Sequence, residues 1–244
     1  MNFGKVKEAI KIMAIRPIFL TNNEKPFYKE QQVNFIWYSG FAISQKKKCV
    51  KSLHEEYKRI NNNSSLLEIS TKSEDEIGIR LSAFNLKFIS KYYNKELPVE
   101  LFFQGAKVFD GISDNTIVHT MTPSEAKKYI KELGTKKLKK FRFEGIDFPL
   151  EPKTLFYDWL YINALLQNKE LINPVLKFTG FTDIEFNPNK SINCQARTIA
   201  IFKSLIDLNI IDKGKNNVSF SEFQKILCDD NKEYIENISF FNSL

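Results

Sequence analysis

The amino-acid sequence predicts a mainly α protein with small antiparallel β elements. Much of the second half places apolar residues at helical spacing, while β-branched and aromatic residues gather nearer the N-terminus in short runs bounded by turn formers. The 244 residues are 43% hydrophobic and 14% aromatic, with 22 Phe, enough to fill one large core. No internal repeat and no compositional linker interrupts the chain. The expected organisation is an N-terminal helix or arm over residues 1–15, a main domain over 16–210 and a C-terminal helical extension over 211–244.

Taken in order, the first 15 residues alternate lysines with short apolar pieces, as an amphipathic helix or an arm would. Arg16 to Leu20 and Val33 to Tyr38 flank a polar NNEKP turn and predict a short antiparallel pair. A helix follows from Ser44 to about Ile60, stopped by the tract Asn61 to Ser65. Two short strands, Leu66 to Ser70 and Gly78 to Phe84, are expected around STKSEDE. Val99 to Phe109, VELFFQGAKVF, predicts a buried helix. Another starts at Pro123, with Thr122 as its cap and Glu125 at the third helical position. Pro149 and Pro152 announce a helix over roughly Lys153 to Gln167. Ile192 to Leu208 shows a broad apolar face with Ser191 or Asn193 available as cap, and Ser219 to Leu244 holds a short helix that frays.

Thirty-six basic residues against 29 acidic give a net charge of +7, which favours an anionic partner without identifying it. Cys49, Cys194 and Cys228 lie far apart with no CxxC pair, so neither a disulfide framework nor a zinc module is indicated. The N-terminal apolar pieces are cut by Arg16 and Pro17, and no run approaches the roughly 18 apolar residues of a membrane span, so a soluble cytoplasmic protein is expected. His54 and His119 are too few for a multi-histidine metal site and disfavour a Ser-His-Asp triad; no P-loop or GxGxxG occurs. No metal and no cofactor is expected.

In VELFFQGAKVF a continuous helix stacks Glu100, Gln104 and Lys107 within roughly 60° of one another on an otherwise apolar cylinder. Glu100 and Lys107 stand about 10 Å apart along the axis, too far for direct pairing. Either the stripe faces solvent, or each charge must meet another residue, water or a ligand. Gly105 beside the stripe suggests close approach by something else.

Four further features carry chemistry. Trp159, one turn before Asn163 in FYDWLYINALLQN, is either core or a stacking surface for a base. AKKYIKELGTKKLKKFR carries eight basic residues against one acidic on a helix and the loop after it; its Lys136, Lys137, Lys139 and Lys140 are candidates for tracking DNA phosphates. Lys46 to Lys48 form a second, smaller cluster. Asp183 and Glu185, just ahead of a helix start, are solvated turn residues or acid/base groups.

The segments IRLSAFNL, PVELFFQGAKVF, TPSEAKK, FYDWLYINALLQN and INCQAR, in that order, resemble the motifs of the NADAR family, and most closely its branch encoded beside DarT-type ADP-ribosyltransferase toxins. The resemblance covers roughly Val33 to Leu208. It implies an α-rich N-glycosidase fold and an antitoxin that removes ADP-ribose from guanine bases in DNA, with ADP-ribose as product and a DarT-type toxin as cognate partner. By motif position it makes Glu100 and Lys107 catalytic, with Asp183 or Glu185 as second carboxylate. Glu100 would stabilise the sugar cation and Lys107 attack C1. Ser82, Phe84, Asn85, Gln104, Trp159, Asn193 and Arg197 would bind substrate, ADP-ribosylated single-stranded DNA. This sequence departs from the motifs in having Leu101 where a histidine is usual and in shortening the acidic loop to DIEFNP. The alternatives are an N-glycosidase acting on a small riboflavin-pathway-like metabolite, and a non-catalytic binder of ADP-ribosylated DNA or of the toxin.

Overall fold

The computed structural model describes residues 12–228 except Thr135 and Lys190. Residues 1–11 of the expected N-terminal helix or arm, and 229–244 of the expected fraying end, lie outside the described residues.

Ile12, Met13, Ala14 and Ile15, expected in that N-terminal helix, are strand instead. They open β1 (Ile12–Thr21), which pairs antiparallel with β2 (Tyr28–Trp37) through ten residues, from Ile12 opposite Trp37 to Thr21 opposite Tyr28. The hairpin read in the sequence is therefore present and longer at both ends, because the β-branched and aromatic alternation continues past Arg16 toward the N-terminus. α1 (Ile43–Ile60) lies across β2. Its buried Cys49, Val50, Leu53 and Tyr57 close a small core with Ile18, Val33, Phe35 and Ile184.

β3 (Leu66–Glu68) and β9 (Gly180–Thr182) complete a four-stranded sheet in the order β2-β1-β9-β3. This sheet is mixed, since β9 runs antiparallel to β1 and parallel to β3. The expectation of purely antiparallel elements is corrected here. Gly78 to Phe84, expected as a strand, begins in the short helix α2 (Glu76–Arg80), because Asp75 accepts from the Ile77 N–H at 2.8 Å and caps a helical turn.

A hairpin of β4 (Lys87–Ser90) and β5 (Lys95–Pro98) leads into α3 (Val99–Gly105), and β6 (Lys107–Phe109) follows at once. VELFFQGAKVF is thus helix then strand. Lys107 pairs across the sheet with Phe141 of β7 (Leu138–Phe143), and β8 (Ile146–Phe148) adds a third strand. α4 (Pro123–Glu132) carries the capping box foreseen from TPSE: Glu125 N–H donates to Thr122 Oγ1 at 3.3 Å, and Thr122 N–H to the Glu125 carboxylate at 2.8 Å.

The main core surrounds α5 (Leu155–Gln167), which is buried along nearly its whole length, with α6 (Lys169–Val175) after it and α7 (Gln195–Asp207) alongside. Its phenylalanines interlock: Phe141 stacks on Phe156 at 4.7 Å between centroids, and Phe88, Phe102 and Phe143 meet edge to face at 5.5–5.6 Å. Ile211, Val218, and Phe223 and Leu227 of α8 (Phe220–Leu227), join the same core. Val218 is held on α5 by Asn163, which donates to its carbonyl at 3.1 Å and accepts from its N–H at 2.8 Å, while the Trp159 indole donates to that carbonyl at 2.8 Å.

Gly105 ends α3 against His119: a Cβ there would lie 2.6 Å from its Nε2 and 3.1 Å from Val118 Cγ2. The close approach suggested by this glycine is made by the protein's own imidazole. Gly105→Ala is expected to lower stability by about 1–3 kcal/mol, read from the urea unfolding midpoint.

Candidate active site

Two backbone hydrogen bonds anchor the start of α3 to the turn over residues 82–86. Val99 N–H donates to Leu86 O at 2.9 Å, and Glu100 N–H to Ala83 O at 3.0 Å. All seven residues of the helix are buried, and Glu100 is only 5% exposed. The polar stripe is closed by its own middle member. Gln104 donates its amide N–H to Glu100 Oε1 at 2.8 Å, and its carbonyl accepts from Lys107 Nζ at 2.7 Å. The amide separates the two charges and satisfies both.

These groups floor a cavity of about 830 Å³, whose lining includes Ser82, Phe84, Glu100, Gln104, Lys107, Asp183, Glu185 and Asn193 among the anticipated residues. Burial pushes the Lys107 ammonium down to about 8, the positive charge of Lys127 adding to it and Glu100 opposing. Its Nζ also lies 4.7 Å from the centre of the Phe103 ring. Lys127 Nζ stands 3.8 Å from Glu100 Oε1 and 5.2 Å from the Phe84 ring centre.

The two loop carboxylates behave differently. Asp183 is half-buried, and its Oδ1 accepts from the N–H groups of Glu185 at 3.0 Å and Phe186 at 3.2 Å. Its pKa is pushed up to about 8, first by burial and then by the nearby carboxylate of Glu68, with its hydrogen bond to the Gln195 side chain opposing. Glu185 is exposed and pairs with Lys46 at 3.5 Å.

Several anticipated residues lie elsewhere. Trp159 does not line the cavity; it packs against Phe148, Phe156 and Phe220 behind α5, and its indole N–H is spent on Val218. Arg197 is buried against Asp158, both of whose oxygens it reaches at 3.2 Å, and so ties α7 to α5. Asn85 is exposed and donates to Ile79 O at 2.8 Å, closing the turn after α2. Asn193 and Ser191 do not cap α7: its N-cap is Cys194, without a side-chain cap bond, because the helix begins three residues later than the apolar pattern suggested.

The basic run divides as well. Lys139 and Lys140 sit on strand β7 and not in a loop after the helix. They are paired with Asp110 at 3.1 Å and Asp147 at 2.5 Å, while Lys136 and Lys137 are exposed in the turn before them. Of the basic run, Lys127, Lys128 and Lys131, on one face of α4, line the cavity, as do Lys72 and Lys107.

Sequence reasoning missed Tyr157, Gln195 and Glu68. Tyr157 lines the cavity beside Trp159 in sequence, with its ring 5.0 Å from Phe103 and its hydroxyl held neutral by burial far above the ordinary range. Gln195 ties the site's segments together, accepting from Ala83 N–H at 2.7 Å and donating to Ile69 O at 2.5 Å. A carboxylate between Leu67 and Ile69 in a predicted strand was the one available signal for Glu68.

Among the described residues no three His, Cys, Asp or Glu side chains gather as a metal site, and no helix is long and apolar enough to cross a membrane. The chain matches no curated protein. The profile of one family, described as DarT1-associated NADAR antitoxin, matches residues 14–236, nearly the whole chain and every element of the cavity. The protein therefore belongs to the DarT1-associated NADAR antitoxin family.

Proposed function

We propose that the protein is an ADP-ribosyl glycohydrolase that removes ADP-ribose from guanine bases of DNA and so reverses a DarT-type toxin. The observation that carries this reading is the chain Lys107–Gln104–Glu100 on the floor of one cavity, with the half-buried carboxyl of Asp183 in its lining. A lysine with lowered basicity, a fixed carboxylate and a protonated acid are the groups that breaking a ribose–nitrogen bond requires.

Neutral Lys107 Nζ bonds to ribose C1 while the C1–N pair leaves with the guanine nitrogen, which takes the Asp183 carboxyl proton. The Glu100 carboxylate stabilises positive charge on the sugar as that bond stretches, more than water would in a buried site. Asp183, now ionised, takes a proton from water whose oxygen adds to C1, and Lys107 departs as the amine. In its ring-opened form the lysine adduct is an iminium. Net hydrolysis yields ADP-ribose and an unmodified guanine, which makes the protein an N-glycosidase. Tyr157, Ser82 and Asn193, which line the cavity, meet sugar hydroxyls in this reading. Lys127, Lys128, Lys131 and Lys72, which line the cavity, supply positive charge for the diphosphate and join Lys136, Lys137, Lys139 and Lys140 in tracking the DNA strand.

Incubation with guanine-ADP-ribosylated single-stranded DNA is expected to release free ADP-ribose. Tight binding with a persistent adduct would instead indicate a non-catalytic binder, and activity confined to small ribosylated metabolites would indicate the wider family's chemistry. Glu100→Gln is expected to lower the release rate by about 10²-fold or more, and an unchanged rate would remove Glu100 from the mechanism. Borohydride added during turnover is expected to fix a ribosyl adduct on Lys107, seen by peptide mass and absent in Lys107→Arg. Because the active form of Lys107 is neutral, the rate should climb as pH rises toward about 8 and fall as the amine protonates below it, measured as kcat/KM against pH.

A further inference from the structure

Lys46, Lys47 and Lys48 lie in the first two turns of α1, beside the cavity. Lys46 Nζ stands 3.5 Å from Glu185 Oε1, and Glu185 lines the cavity. The same ammonium lies 4.7 Å from the centre of the Trp37 ring at the end of β2, and the Arg16 guanidinium lies 5.4 Å from it. Arg16 in turn is near enough to Asp183 and Glu185 to feel both carboxylates. The cavity wall and the segment after Trp37 are therefore continuous.

That segment combines positive charge with open aromatic rings. From Gln31 to His54 the chain carries four lysines and no acidic residue. Among the described residues Lys47 and Lys48 pair with no carboxylate, and Lys48 Nζ lies 5.9 Å from the centre of the Tyr38 ring. Gly40, at a φ of +122°, turns the chain after Tyr38, and Phe41 follows with its side chain wholly in solvent. Trp37 is already met by two cations, so Tyr38 and Phe41 are the rings left open. An open ring offers a face to any unpaired base, and an adjacent ammonium meets the phosphate. A duplex, whose bases stack on one another, can use the ammonium groups but not the rings. A protein docking on the same rings would enclose Lys48 in the contact, where a charge without a partner is costly; a polyanion supplies that partner.

We propose that Tyr38, Phe41, Lys47 and Lys48 form a docking surface for single-stranded DNA, continuous with the cavity through Lys46 and Glu185. That a modified guanine enters the cavity rests on the ADP-ribosyl-guanine reading; the affinity of this surface for a single strand does not. The strand passes Glu185 on its way from the cavity, its bases against the two rings and its phosphates against the two lysines.

The test is fluorescence anisotropy of the full chain with an unmodified, end-labelled single strand of about twelve nucleotides and with the same sequence as a duplex. The wild-type chain is expected to bind the single strand more tightly than the duplex. Phe41→Ala and Tyr38→Ala should each weaken single-strand binding by about fivefold or more, with duplex binding and the salt dependence unchanged. Lys47→Gln and Lys48→Gln should each make the fall of log K with log salt shallower by about 0.7. Absence of single-strand binding by the wild-type chain overturns the proposal, as does single-strand affinity that neither aromatic substitution changes. Loss of binding to a DarT-type toxin in Phe41→Ala, with DNA affinity kept, would assign the face to a protein and overturn it as well. No release of ADP-ribose is read in this assay, so failure of release counts against the substrate reading alone, and the binding measurement still decides the role of this face.

Discussion

The site is built around an amide standing between a buried carboxylate and a buried ammonium. Glu100 and Lys107 each need a partner out of water, and had they met directly each would have been neutralised by the other. Gln104 gives each one strong hydrogen bond and keeps them apart, the carbonyl turned to the ammonium and the N–H to the carboxylate. Both charges are held in place while each lines the cavity. The anchoring of α3 on the 82–86 turn, the abrupt change from helix to strand at Ala106 and the capping of α4 all serve to hold that arrangement.

Rigidity comes from the aromatic packing beneath. Phe103 touches the ring of Tyr157 on one side and, through Phe141 and Phe156, the centre of α5 on the other, so the cavity floor and the main core share side chains. Dense interiors of this kind resist small displacements. Exposed lysines on α4 line the same cavity, whose floor is braced by these rings.

Much of the fold was legible because local and global preferences agree. The β1–β2 pair, α1, the Thr122 cap and α5 follow from alternation, periodicity and turn chemistry that hold within a few residues. The members of the polar stripe were legible too, since three polar residues on an apolar segment stand out. Their geometry was not. Lys107, Val108 and Phe109 continue a helical pattern, and only pairing with Phe141, more than thirty positions on, draws them into a strand. The sequence leaves Trp159 open between core and stacking surface, and it is core: its polar neighbours Asp158 and Asn163 are consumed inside the protein by Arg197, Thr198 and Val218. Which lysines of the basic run are tied to acidic neighbours was not legible either, since the pairs of Lys139 with Asp110 and of Lys140 with Asp147 are tertiary contacts.

The hold on Val218 has a consequence for how the chain comes together as it is made. The Trp159 indole and the Asn163 amide lie 59 and 55 residues upstream of the carbonyl that satisfies them. Until that stretch has left the ribosome, the Trp159 indole N–H lacks its carbonyl partner, the Asn163 amide has only the Trp159 carbonyl of its own helix, and the back of α5 stays open to water. The interior of this antitoxin therefore closes late in synthesis, and a chain stalled before residue 218 would present a wet, unsealed seam where quality-control proteases find their substrates.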